Sequence, residues 1–182
     1  MASKRGRKMY KDFYRIVEDI LSNTEFKKLK KETHHGTNRY IHSLRVAMGV
    51  YNISKSLNLK YVDITRAALL HDFFQNSQIN SKWLKISFEH PIRAFENASK
   101  YFYLTKMQEN IIKCHMFPLA VEVPKSMGAI IITLVDKKVA IYGTGEVSDY
   151  FYSTHSFDDE ELLYFVETEK TRMSLRTIKL YA

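Results

Sequence analysis

The stretch YIHSLRVAMGVYNISKSL, residues 40–57, decides the fold. Its apolar residues recur at helical spacing and run nearly all the way round, so this helix has no broad solvent face and belongs at the centre of a helical assembly. His42 stands near its start, on one face with Val46, Gly49 and Ile53. Downstream, LKYVDITRAALLHD (59–72) reads as the next helix, ending near Asp72. Upstream, MYKDFYRIVEDIL (9–21) repeats apolar residues at helical spacing, and SNTE (22–25) has the form of a capping box that opens a second, short helix. KETHHGTNR (31–39) reads as a polar loop.

Beyond Asp72 the periodicity weakens, and residues 74–89 read as a loop, a candidate lid. His90 precedes Pro91. A residue before proline avoids the α region and proline suits a first helical turn, so a helix is expected to start here with His90 at its N-terminus. Thr105 and Gln108 form a second capping box, on a helix that carries His115 near its end. Pro124 and Gly143 bracket a further helix containing Asp136, and Ser156 caps SFDDEELLYFVET (156–168). The expected architecture is all-α: a basic flexible N-terminus (1–8), a helical bundle (9–143) and a small helical C-terminal appendage (144–182).

Composition agrees. A chain of 182 residues with 6 Gly and 3 Pro has the length of one domain and the leaning of a helical one. Cys114 is its only cysteine, which excludes an intrachain disulfide framework. MASKRGRK leads into an amphipathic segment rather than an apolar one, so no signal peptide is read. The longest apolar stretch, MGAIIITLV (127–135), is far short of the roughly 20 residues a membrane span needs. The protein is expected to be soluble and cytoplasmic. Of the net charge of +8, +5 lies in residues 1–32, which carry ten Lys/Arg against five Asp/Glu. Such an arm can meet nucleic acid or an anionic membrane surface, although a solubilising tail is the plainer reading.

The polar residues inside apolar helices carry the functional reading. A single histidine in a helix is more often a satisfied core or surface residue than a ligand. Asp136, inside IIITLVDKKVA, is harder to dismiss, because a buried carboxylate costs several kcal/mol unless paired or bound to a metal. Together, His42, His71, Asp72, His90, His115 and Asp136 all face the expected core, and convergence on metal explains them economically. Imidazole with carboxylate suits Fe, Mn, Zn, Ni or Co. Small residues such as Gly49, Ala67 and Ala68 let the helices approach closely.

The order of these residues resembles the H…HD…D signature of the HD superfamily of metal-dependent phosphohydrolases, over roughly residues 35–142. HSLRVA (42–47), followed about thirty residues later by AALLHD, is similar to many bacterial members, and His90 and His115 match the two-metal branch that includes diadenosine-tetraphosphate hydrolases. The resemblance implies an HD-domain helical bundle holding two divalent transition metals, iron foremost, with His42, His71, Asp72 and Asp136 on the first. Asp72 would bridge to a second completed by His90 and His115, and a bridging hydroxide would attack phosphorus. His71 and Asp72 are thereby the candidate catalytic residues, and a small phosphorylated substrate, a nucleotide foremost, is the expected partner. Two departures stand out. Many relatives carry a phosphate-binding lysine shortly after the HD pair, where this chain has Phe73 and Phe74. A Gly-Tyr-Pro motif is absent, which argues against cyclic di-guanylate. Arg45, or Lys137 beside Asp136, is a candidate substitute cation, and His35 a candidate for the pocket mouth. Alternatives are a nuclease of the same chemistry acting on RNA or single-stranded DNA, and a non-catalytic metal-stabilised nucleotide-binding module.

Overall fold

The computed structural model describes residues 4–34, 37–79, 83–120 and 122–142. His35 and the C-terminal appendage, with its Ser156-capped segment, lie outside the described residues. Seven helices account for most of the described chain: α1 (Lys4–Ser22), α2 (Thr24–Lys27), α3 (Arg39–Ser56), α4 (Tyr61–Leu70), α5 (Trp83–Tyr101), α6 (Lys106–Cys114) and α7 (Met127–Tyr142). None of them is long and apolar enough to cross a membrane. The expected all-α class is the observed one.

The helix read as central is central. Along α3 only Arg45, Asn52, Ile53, Lys55 and Ser56 reach solvent, and the helix packs against both α4 and α7. The close approach depends on glycine. A Cβ on Gly49 would stand 2.9 Å from Val135 Cγ1, and one on Gly128 would stand 2.7 Å from Ile64 Cγ1. α6 packs across α4, α5 packs on α6, and α1 closes the other side of α4. The core joins Phe13 and Val17 of α1 to Leu44 and Met48 of α3, Leu69 and Leu70 of α4, and Ile111 and Ile112 of α6.

Several expectations are corrected. Helix α1 begins at Lys4, within the basic N-terminal segment. The cap of α2 is Asn23, not Ser22: its side-chain oxygen accepts from the backbone N–H groups of Glu25 and Phe26, and the Ser22 hydroxyl turns back to Asp19 O. The loop before α3 holds a minimal hairpin, β1 (Thr33–His34) against β2 (Thr37–Asn38). Most of the proposed lid is structured, as a 3₁₀ turn at Asn76–Gln78 and the first two turns of α5. His90 consequently lies inside a helix rather than at its start, with Pro91 one residue on. Pro91 removes one backbone rung, the one to residue 87, and His90 Nδ1–H donates to Ile86 O at 2.8 Å in the adjoining turn. The Thr105–Gln108 capping box of α6 is present in both directions.

The Gly128 contact generates a prediction. Ile64 is only 2 % exposed and has no room to yield. Gly128→Ala should therefore lower stability by about 1–2 kcal/mol through overpacking, even though alanine is the better helix former. The shift in urea midpoint measures it, and a stabilised variant would contradict the tight α4–α7 contact.

Candidate metal centre

The centre is assembled at the end of α4. The helix stops at Leu70, His71 occupies its C-cap, and a turn follows in which Phe73 N–H donates to Leu70 O and Phe74 N–H to Asp72 O. Consecutive residues leaving a helix diverge, and these two reach different partners. His71 Nε2 lies 3.4 Å from Asp136 Oδ1 on α7, which in turn is 2.9 Å from His42 Nε2 on α3. Asp72 Oδ1 lies 3.4 Å from His90 Nε2 on α5 and 3.6 Å from His115 Nε2 at the end of α6. The other Asp72 oxygen, Oδ2, faces His71 Nε2 at 3.8 Å. Five helices thus send six side chains to one place, each no more than 7 % exposed. Their ligand atoms form three overlapping groups within metal-binding reach: His42, His71, Asp72; His71, His115, Asp136; and Asp72, His90, His115.

The backs of three imidazoles are tied down in the same way. His71, His90 and His115 each place Nδ1 2.7–2.8 Å from a backbone carbonyl one turn earlier, at Ala68, Ile86 and Ile112. A carbonyl only accepts, so each Nδ1 carries a proton and Nε2 is the atom turned to the centre, the arrangement that orients metal-ligating histidines; on His71 a metal would have to displace the second proton. His90 Nε2 and His115 Nε2 face each other at 2.9 Å, a spacing that a proton shared as N–H···N or a metal ion held by both nitrogens would satisfy. His71 Nε2 adds a buried nitrogen with no hydrogen-bond partner. The donor set therefore fits a metal on geometry as well as on residue type.

The electrostatics separate the six. Burial pushes His115 down to about 3, helped by the neighbouring His71 and His90, so it stays neutral. Burial likewise lowers His90. Burial also opposes charge on His71, but the Asp72 and Asp136 carboxylates outweigh it and push that imidazole up to about 9. Asp136 is held well below the usual carboxylate range: burial works against its charge, and the imidazoles of His42 and His71 overcome it.

Other residues singled out from the sequence fare differently. Lys137 points its ammonium at His115 O, Phe117 O and Thr133 O, at 3.4, 2.9 and 3.4 Å. From α7 it reaches the carbonyl end of α6. Arg45 is half-buried on α3, one turn beyond His42. Cys114 is buried, its thiol pushed up to about 11 by burial, and it belongs to none of the three groups. The reading from sequence missed Arg39, which is buried with Nε 3.9 Å from Asp72 Oδ2 and its guanidinium 3.8 Å from the centre of the Phe74 ring. Its position three residues before His42, on the same helical face, is the signal that could have found it.

A family described as HD domain matches residues 39–141, more than half of the chain and the whole of the six-residue set. No curated protein and no solved structure matches the chain.

The histidine shifts fix a pH profile for protein stripped of metal. His115 and His90 are lowered, so their contribution is present above the unfolded value of about 6.5 and fades as pH falls below it. His71 is raised, so its contribution is present below about 6.5 and is lost as pH rises towards 9. Thermal unfolding of chelator-treated protein should show its highest midpoint near pH 6.5, declining on both sides (~pH 6.5 being the unperturbed imidazole value). A monotonic profile between acid and alkaline pH would contradict this assignment.

Proposed function

The chain belongs to the HD domain family, and on that premise we propose that it is a metal-dependent phosphohydrolase that cleaves a phosphoester or phosphoanhydride of a nucleotide or related small phosphorylated molecule. The opposed Nε2 atoms of His90 and His115, with both Nδ1 protons committed elsewhere, carry this reading. His42, His71, Asp72 and Asp136 would hold one divalent metal, and Asp72, His90 and His115 a second. The division of Asp72, with Oδ2 towards His71 and Oδ1 towards His90 and His115, supports its assignment as the bridge. Nitrogen and oxygen donors without thiolate favour iron or manganese, with zinc, nickel and cobalt as further candidates.

When bound, such a metal pair supplies Lewis acidity, acidifying water and stabilising charge on the oxygens around phosphorus in an in-line displacement. The protein's own contribution is orientation and dryness. The three carbonyl tethers hold the imidazoles in one tautomer and one rotamer. Phe74 stacks beside His90, ring centres 5.2 Å apart, and walls off one side of the site. Arg45, a turn from His42, is the candidate for meeting the anionic substrate. The depth of the six side chains favours a phosphoryl group at the end of a small molecule over a phosphate in the middle of a structured polynucleotide.

Protein purified without oxygen is expected to carry two transition-metal ions per chain. It should hydrolyse at least one member of a panel of mononucleotides, dinucleoside polyphosphates, cyclic dinucleotides and short RNA. His71→Ala and Asp72→Ala should each lower that activity by at least about 100-fold, the loss seen even for outer-sphere partners of a metal. Fewer than one metal per chain, with undiminished activity in both variants, would overturn the reading. Preference for the RNA would shift it to a nuclease.

A further inference from the structure

Arg39 is 3 % exposed, and an arginine this deep needs partners for its charge and its donors. It has them on three sides. Nη1–H donates to Phe74 O at 3.1 Å, with Glu32 Oε2 3.7 Å away. Nη2–H donates to Asn76 Oδ1 at 3.0 Å. The guanidinium lies 3.8 Å from the centre of the Phe74 ring, the distance of a stacked cation–π contact. Nε, buried and without a hydrogen-bond partner, is left facing Asp72 Oδ2 at 3.9 Å.

An arginine beside a metal centre ordinarily suggests a phosphate clamp, with the terminal nitrogens forked towards the ligand. Here both terminal nitrogens are engaged by the turn that follows Asp72, and only Nε is directed at the centre. We infer that Arg39 is a positioning residue for Asp72: clamped to Phe74 and Asn76, it fixes the rotation of the carboxylate so that one oxygen serves each half of the centre. This assigns a role to Phe74 as well. The aromatic residue standing in place of the phosphate-binding lysine is the platform on which the guanidinium lies. Asn97 gives a comparison, since its Nδ2–H donates to Phe73 O at 2.9 Å and so holds the same turn from α5. The inference rests on the reading of Asp72 as a shared metal ligand.

The test is Mn²⁺ titration of chelator-stripped protein by calorimetry, alongside steady-state kinetics with the best substrate of the panel. Arg39→Met should weaken Mn²⁺ binding about 10- to 100-fold, the range for loss of an outer-sphere partner. It should lower kcat with KM unchanged. Arg39→Lys should fail to rescue, because it restores charge without the planar fork. Asn97→Ala should lower the unfolding midpoint yet leave Mn²⁺ affinity at the wild-type value, separating a loosened turn from a misdirected carboxylate. If Arg39→Met does not fold, Phe74→Leu decides, since it removes the platform and should weaken Mn²⁺ in the same direction. A raised KM with wild-type Mn²⁺ affinity would make Arg39 a substrate contact and overturn the inference alone. A wild-type protein that takes up no Mn²⁺ or other transition metal would remove the reading of Asp72 and the inference with it.

Discussion

Two imidazole nitrogens rest 2.9 Å apart in a buried interior only with a proton or a metal ion between them. His90 and His115 are placed that way by the carbonyls of Ile86 and Ile112, which commit each proton to the far side of its ring. Much of the architecture serves this confrontation. α5 continues through a proline so that His90 stays on a helix, and α6 ends where His115 turns inward. The end of α4 brings Asp72 under both. The bundle around them buries all six side chains.

The two phenylalanines after the HD pair divide the work of enclosing that charge. Phe73 faces the core, in contact with Phe26, Tyr101 and Phe102, and anchors the turn to α5 and to the short helix α2. Phe74 lies between the guanidinium of Arg39 and the ring of His90. Side chains from two helices also take the carbonyls of these residues: Arg39 takes Phe74 O and Asn97 takes Phe73 O. A stretch that reads as hydrophobic filling is, in the folded chain, a backbone fastened at both carbonyls with its rings used as walls.

Much of this is legible in the sequence because burial and helical period constrain it. A helix apolar on every side has to be central. A capping box such as Thr105–Gln108 is a local object that forms from its own four residues, and it formed as written. The six polar residues stood out because each violates a core pattern. What was not legible depends on tertiary contact. Pro91 signals a helix start in isolation, but the packing of α5 on α6 and the His90–Ile86 bond carry the helix through it. The weak periodicity of residues 74–89 hid the start of α5 for the same reason. Arg39 looked like the edge of a polar loop, and only the return of the turn after Asp72 makes it buried. Lys137 is the reverse case: beside Asp136 it suggests an anion site, and its carbonyl partners at His115, Phe117 and Thr133 are visible only in the fold.

Lys137 also has a mechanical meaning. Its neighbour Asp136 reaches one half of the centre, while its own ammonium grips the carbonyl of His115, whose ring reaches the other half. One step of backbone on α7 therefore touches both halves. The two residues tie α7 to both the His71 side of the cluster and the end of α6.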